Sequence, residues 1–521
     1  YSVCVCGKKC RYNFSYEFFL GYKVLVVFPV PGKSHAILGE AYVRHLLDAG
    51  HEVCYSTYLF QLFKAGNRRP IFSSDSLIRL SEDTRAIHLF EYIIHIRSDK
   101  MIFDIMYEVA SLTLRSEPVQ NLINDPKEEF DAVIVEWLYS EMGAGFSSVF
   151  GCPLIWSSSM VPHTSILSLI DEHINPAYNR FHLSRQHSLS LADRAYNLWI
   201  HIRKTFKYFR KLEAKESDLF KEVFGLAIKK RGREVPDFND VRYNGSMVLG
   251  NSDVSIGDSI ALPQNYKNIG GYHLKNEFEG LAMPLLFQEM KKIMDDAKHG
   301  AIYFSLGSML QCSRMPERLK KEMIQMFGQL NQTVIWKIDE YIPNLPKNVH
   351  LTSWAPQQSI LAHPNCVLFI THGGLLSIIE AINYGIALIS MPFFADQYIN
   401  SDRLVEKGFG KRLDLTDDTP KLLQGIIEEM LIHNTSYSTK AKEMSAIFHT
   451  RLTPPGKELV FWVEYVIQTG GARHLRSTAL SLEAYKKLHL DILFIVALVV
   501  ISVLYVVVKL IREFQIKVKI E

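Results

Sequence analysis

The stretch LTSWAPQQSILAHPNCVLFITHGGLLSIIEAINYGIALISMPFFADQYIN, residues 351–400, carries the reading that organises the rest of the chain. Cys366–Ile370 (CVLFI) is an apolar run of strand length, as expected of a strand covered on both faces. His372-Gly373-Gly374 turns the chain. Leu375–Tyr384 then spaces its apolar residues as a helix does, and Ile386–Met391 returns to strand character. Strand, turn, helix and strand make a βαβ unit and a parallel sheet. Glycines in the turn let backbone approach a ligand. The helix start offers unpaired N–H groups and a partial positive charge, which suit a phosphate. Ser377 adds a hydroxyl in the first turn. Glu380, three residues on, lies on the same face one turn deeper, where a carboxylate can accept two vicinal ribose hydroxyls. The set suits a nucleoside diphosphate.

The same pattern extends outward. Ala301–Ser305 (AIYFS) reads as a strand followed by the turn LGS, Glu317–Gln329 as a helix and Thr333–Lys337 (TVIWK) as a strand. Nearer the N-terminus, Tyr22–Val30 (YKVLVVFPV) reads as a buried strand, PGKSH as a loop, Ala36–Ala49 as a helix and His51–Thr57 as the next strand. Phe130–Glu136 (FDAVIVE) and Pro153–Trp156 are further strands. Between the halves, Pro263–His273 (PQNYKNIGGYH) has the Pro, Asn and Gly of a linker. Two α/β halves predict two lobes with a cleft at the carboxyl ends of the strands. Residues 58–125 and 157–235 are less regular and rich in aromatic and aliphatic side chains. Within them Leu198, Ile202, Phe206, Phe209 and Leu212 approach helical spacing, with basic residues between. The pattern fits a packed helix with a solvated face, in preference to one resting on a membrane surface.

Of the 521 residues, 58 are Lys or Arg and 55 Asp or Glu, a net charge of +3. That balance excludes a nucleic-acid binder working by bulk charge. Seven cysteines exclude a disulfide scaffold. Ile492–Val508 (ILFIVALVVISVLYVVV) is apolar apart from Ser502 and matches the short end of what spans a hydrocarbon core of about 30 Å. The basic tail after it favours a cytosolic end, and Lys517 and Lys519 resemble a dilysine retrieval signal for the endoplasmic reticulum. Residues 1–21 are irregular, with Cys4, Cys6 and Cys10, and contain no apolar run of signal-peptide length. The expectation is that a signal peptide belongs before Tyr22 and is missing or altered. Asn13, Asn244, Asn331 and Asn434 begin sequons, usable if the body is lumenal.

Trp354, Pro356–Gln357, His363–Pro364, Thr371–Gly374, Ser377, Glu380, Pro392, Asp396–Gln397 and Asn400 resemble the signature of the UDP-glycosyltransferases, and PGKSH, NIGGYH, YFSLGS and the terminal apolar run resemble its animal branch. The resemblance implies an α/β, GT-B fold: two Rossmann-like lobes, a cleft between them and one C-terminal transmembrane helix. The implied division is an irregular segment at 1–21, an acceptor lobe at 22–268, a UDP-sugar lobe with a C-terminal extension at 269–485, a membrane helix at 486–508 and a cytosolic tail at 509–521. It implies that Trp354 stacks on uracil, Gln357 meets the nucleoside and Glu380 holds the ribose. Ser308, His372, Gly374 and Ser377 would hold the diphosphate, and Asp396 and Gln397 the sugar hydroxyls. No metal and no further cofactor are expected, UDP-sugar being a co-substrate.

A lone histidine is usually structural, but His35 follows the first strand at its carboxyl end. By the resemblance it is the general base. The family often carries an Asp at the end of the strand that here ends in Glu136, so Glu136 is the expected partner. Asp131, at the start of that strand, is the fallback. The expected reaction is inverting transfer of a hexosyl group, glucose before glucuronic acid, to a hydroxyl of a small lipophilic acceptor. The expected setting is a single-pass protein of the endoplasmic reticulum membrane with a lumenal body, no nucleic-acid partner, and self-association left open. One alternative is a non-catalytic ligand-binding relative. Another is a dinucleotide-dependent oxidoreductase, suggested by Gly143-Ala144-Gly145 after a strand but lacking the third glycine and a suitably spaced acid.

Overall fold

The computed structural model describes residues 21–30, 32–57, 62–65, 99–171, 190–203, 209–257, 260–274, 285–307, 315–393, 396–487 and 489–520. Ser308, the cysteines at 4, 6 and 10, and the sequon at Asn13 lie outside them.

The described strands form two sheets. The first contains β1 (Lys23–Phe28), β2 (Glu52–Thr57), β3 (Leu62–Ala65), β4 (Ala132–Trp137), β5 (Leu154–Ser158), β6 (Met247–Gly250) and β7 (Tyr266–Asn268). Their order is β3-β2-β1-β4-β5-β6-β7, parallel throughout except for the β2–β3 edge pair. The second contains β8 (Ala301–Ser305), β9 (Thr333–Lys337), β10 (Val349–Thr352), β11 (Cys366–Thr371), β12 (Leu388–Ser390) and β13 (Gly410–Arg412). Their order is β10-β9-β8-β11-β12-β13, all parallel.

Alternation along β1 shows why its sequence is continuously apolar. Leu25 and Val27 pack on one face with Phe146, Phe220 and Phe224, while Val24, Val26 and Phe28 pack on the other with Leu38 and Tyr42. Successive strand side chains point to opposite faces, so a sheet covered on both sides needs apolar residues at every position. In the second lobe Trp336 stacks on Phe304 at 5.1 Å and Tyr303 on Phe369 at 5.1 Å, which fills the space between neighbouring strands.

Four features differ from the expectations. Lys33, Ser34 and His35, read as loop, form the first turn of the helix Lys33–Asp48, with Gly32 as its N-cap. Tyr266–Asn268, read as linker, is the outermost strand of the first sheet. In the region read as one packed amphipathic helix, Leu191–Arg203 and Phe209–Lys230 are helical while residues 204–208, Phe206 among them, lie outside the described residues, and Leu198, expected to pack, is exposed together with Tyr196 and Trp199. Finally, the segment after the second lobe returns to the first. Leu459, Val463 and Val466 of the helix Pro455–Gln468 join Val24, Val26 and Leu46 in one buried cluster.

The last helix, Leu490–Ile520, has 31 residues, about 46 Å of length. Leu490–Phe514 is apolar and long enough to cross a membrane, and its side chains are exposed along that length. The tail expected as a separate segment at 509–521 continues this helix to Ile520. An uncovered apolar surface of this extent fits a single-pass membrane anchor. Ending the chain after Lys487 is expected to leave a protein that stays in solution without detergent and melts like the full chain. Ending it after Arg451 removes four core side chains from the first lobe, Leu459, Val463, Val466 and Ala472, and should lower the melting temperature by roughly 10 °C or more. Differential scanning calorimetry of the two truncations separates these outcomes.

Candidate active site

Each sheet reverses its strand order once, between β1 and β4 in the first and between β8 and β11 in the second. The loops leaving neighbouring strands diverge there and open a crevice at the carboxyl ends. The expected site residues that the structure describes lie at or beyond the carboxyl ends of the strands: His35 and Glu136 at the first reversal, His372 and Gly374 at the second, and Trp354, Gln357, Asp396 and Gln397 after the neighbouring strands β10 and β12.

In the first lobe, Glu136 sits one residue before the end of β4, with a fully buried side chain. His35 lies in the first turn of the helix that follows β1, the strand beside β4. The Nδ1 of His35 is hydrogen-bonded to Glu136 Oε1. Burial acts to lower the pKa of His35, but the charge and hydrogen bond of Glu136, helped by the Asp396 carboxylate of the other lobe, outweigh it and raise the pKa. Asp131 is occupied elsewhere, its Oδ2 accepting the Lys23 backbone N–H at 2.8 Å at the start of the sheet. The fallback partner is therefore structural.

In the second lobe, β11 ends at Thr371 and the helix Leu375–Tyr384 starts behind Gly374. Gly373 has φ +83°, and a Cβ there would lie 2.5 Å from Ser390 Oγ and 2.8 Å from Ser401 Oγ. Only glycine meets both constraints without strain. His372 is held between two loops: a Cβ on Gly307, just after β8, would come within 2.7 Å of its ring, and one on Gly374 within 2.6 Å. Burial and the nearby Lys337 charge push its pKa down to about 4, so the imidazole is neutral at pH 7. Lys337 itself donates to the Gly307 carbonyl at 3.0 Å.

One turn deeper, three expected residues meet. Gln357 Nε2 donates to Ser377 Oγ at 3.1 Å and to Glu380 Oε2 at 2.5 Å. Gln358 Nε2 donates to Glu380 Oε1 at 3.0 Å. Trp354 is about two-fifths exposed, and Lys33 of the first lobe reaches across the cleft to within 5.9 Å of its ring. Asp396 accepts from Asn400 Nδ2 at 2.9 Å, and the same amide donates to the Gly373 carbonyl at 3.2 Å. Burial raises the pKa of Asp396 against the Asn400 hydrogen bond and the His35 and Arg403 charges. Gln397 is buried and its Oε1 accepts the Phe393 backbone N–H at 2.9 Å.

Gln358 and Lys337 were not among the expected residues. The Gln357-Gln358 doublet was a usable signal, since both amides start one helix turn and can reach a single carboxylate. Lys337 gave none, because a Lys ending a strand is ordinary. Gly143 and Gly145 serve packing instead of a dinucleotide: a Cβ on the first would strike Val135 at 2.4 Å and on the second the Phe224 ring at 2.2 Å. The oxidoreductase alternative loses its one motif.

Two parallel α/β lobes that bring an acid-paired histidine opposite a glycine turn and helix N-terminus define a GT-B glycosyltransferase. The family model for UDP-glucoronosyl and UDP-glucosyl transferase matches residues 75–521, and the chain belongs to that family of UDP-glycosyltransferases. It is 30% identical over 478 residues to UDP-glucosyltransferase 2 of Dactylopius coccus, covering 91% of this chain and 89% of the relative. It is 28% identical over 510 residues to UDP-glucuronosyltransferase 1A6 of Mus musculus, covering 94% and 91%. Among solved structures, the glycotransferase of kitacinnamycin matches with a TM-score of 0.56 at 15% identity, over 85% of this chain and 98% of that one, which bears on the fold.

Replacing Gly373 by Ala is expected to cost ~1–3 kcal/mol of stability through the left-handed backbone and the two serine contacts. It should also weaken UDP binding by displacing His372. Thermal melts and calorimetric titration with UDP measure both effects.

Proposed function

We propose that this UDP-glycosyltransferase moves a hexosyl group, glucose first and glucuronic acid next, onto a hydroxyl of a small lipophilic acceptor with inversion at the anomeric carbon. The observation that carries this reading is the His35–Glu136 pair facing Asp396 across the cleft. Nδ1 of His35 gives its proton to the hydrogen bond with Glu136, which leaves Nε2 to accept one. The acceptor O–H loses its proton to Nε2 as the oxygen bonds to the anomeric carbon. The bond from that carbon to the diphosphate oxygen breaks, and UDP leaves with the electron pair. Glu136 stabilises the imidazolium that forms. The helix N-terminus behind Gly374, the Ser377 hydroxyl and a neutral His372 supply donors to the diphosphate. Trp354 offers a face to uracil, Gln357 meets the nucleoside, Glu380 takes the ribose hydroxyls, and Asp396 and Gln397 take the sugar hydroxyls.

Support for glucose over glucuronic acid comes from the charges acting on His35. Both are carboxylates, Glu136 and Asp396, and a sugar carboxylate would add a third. Support for a lipophilic acceptor comes from the aromatic cluster at the carboxyl end of β4, the strand that carries Glu136. Phe103, Trp137, Tyr139 and His163 meet with ring centroids 5.0–5.8 Å apart, next to Val30, Met106 and Leu138.

His35→Ala should abolish transfer while UDP binding is kept; near wild-type turnover would refute the base assignment. Because the base must be unprotonated, kcat/KM should rise with pH through the raised pKa of His35. Glu136→Gln removes the charge that raises it, so the acidic limb should move to lower pH and kcat fall by ~10²-fold or more. Rate profiles of both variants from pH 5 to 9 test this.

We place the body in the lumen of the endoplasmic reticulum, with the chain end after the anchor in the cytosol. Asn331 is exposed after the helix Glu317–Gly328, whereas the Asn244 side chain is held by Arg476. Asn331→Gln should therefore remove one endoglycosidase-sensitive glycan, seen as a gel shift. An unchanged mobility would count against lumenal exposure of this sequon.

A further inference from the structure

The segment between the lobes carries an unusual side chain. His273 is fully buried, and neither ring nitrogen has a hydrogen-bond partner among the described residues. An imidazole buried without a partner costs free energy, and such a group calls for an explanation in function. Its Nε2 lies 3.6 Å from Glu380 Oε1, too long for a hydrogen bond and close enough to become one with a shift of about 0.7 Å.

Glu380 is itself buried. Its carboxylate receives two neutral amides, Gln357 on Oε2 and Gln358 on Oε1. Among the described residues, His273 lies beside Oε1 with a ring nitrogen able to supply a further N–H. A buried carboxylate keeps a defined orientation only when its oxygens are held by donors.

The residues around His273 are clamped to the first lobe. The Tyr272 carbonyl accepts from His45 Nε2 at 2.8 Å and Arg44 Nη2 at 3.2 Å, and Arg44 Nη2 also donates to the Leu274 carbonyl at 3.3 Å. The Tyr272 ring packs edge-on against Tyr42 at 4.9 Å. Arg44, His45 and Tyr42 all belong to the helix Lys33–Asp48, whose first turn holds His35. One rigid helix therefore bears the proposed base at one end and, through the linker, His273 at the other.

We propose that His273 is a positioning residue for the nucleoside end of the donor: it orients the Glu380 carboxylate toward the ribose hydroxyls and ties that orientation to the first lobe. The proposal rests on the reading of Glu380 as the ribose-holding group. It predicts that His273 matters for how well the enzyme senses the ribose 2′-hydroxyl, and little for the transfer step itself.

The test uses the full chain in detergent and compares binding of UDP with 2′-deoxy-UDP by calorimetry. Wild type is expected to prefer UDP by ~10-fold or more, the worth of a hydrogen bond to a charged group. His273→Leu fills the same space without a donor, and His273→Asn keeps an amide too short to reach. Either should reduce the preference to within about threefold, mainly by weakening UDP, and raise KM for UDP-sugar by ~10-fold with kcat within about twofold. His273→Gln, whose amide can reach Glu380, should restore most of the preference. A general loss of packing would weaken both nucleotides alike and would not be repaired by Gln, which overturns the proposal. Should Leu fail to fold, the Asn and Gln pair decides. A preference retained in the Leu and Asn variants overturns the role of His273 and leaves the ribose reading standing. No preference in wild type overturns the ribose reading and this proposal together.

Discussion

A carboxylate buried at the heart of a parallel sheet is the constraint from which the first lobe takes its form. Glu136 has no exposed side-chain surface, and its Oε2 has no hydrogen-bond partner among the described residues. Among the described residues, its hydrogen bonding rests on the contact from Oε1 to His35. A buried charge left without its partner is strongly destabilising, so the helix that carries His35 must start where it does. Strand adjacency makes this feasible: β1 and β4 run parallel and side by side, so whatever follows β1 emerges beside whatever ends β4. Gly32 caps the helix there and sets its first turn against the sheet edge.

The second lobe solves a related problem in the opposite electrostatic sense. His35 is pushed toward its charged form by two carboxylates, whereas His372 is pushed toward its neutral form by burial and Lys337. One imidazole is held more strongly in its charged form than a free histidine, and the other is kept neutral. Environment, not residue type, separates the two tasks. Asn400 connects the subsites of this lobe, since one amide holds both Asp396 and the Gly373 carbonyl.

Legibility in the sequence followed length and periodicity. The helix Leu375–Tyr384 was read with its observed limits, because a glycine turn, a clean helical spacing and a closing Gly385 mark it on both sides. Strands β1, β8 and β9 were equally plain as apolar runs between turns. By contrast, β6, β7 and β13 have only three or four residues, too short for a period, and Tyr266–Asn268 sits among linker residues. The return of the helix Pro455–Gln468 to the first lobe was invisible, since an apolar stripe does not say which surface it will meet. Within the site, the residues of one motif were legible together. His273 and Lys337 were not, because their roles arise from neighbours that the fold brings from far along the chain.

The chain crosses between the lobes at the linker after β7 and again on entering the helix Pro455–Gln468. Arg451, at the second crossing, donates to the carbonyl of Gly270, just after β7, at 2.8 Å and pairs with Asp253, in the loop after β6, at 2.6 Å. Two strands of chain are thus riveted side by side. The two crossings are therefore one paired connection and not two independent ones: what shifts the second crossing pulls on the first through Arg451.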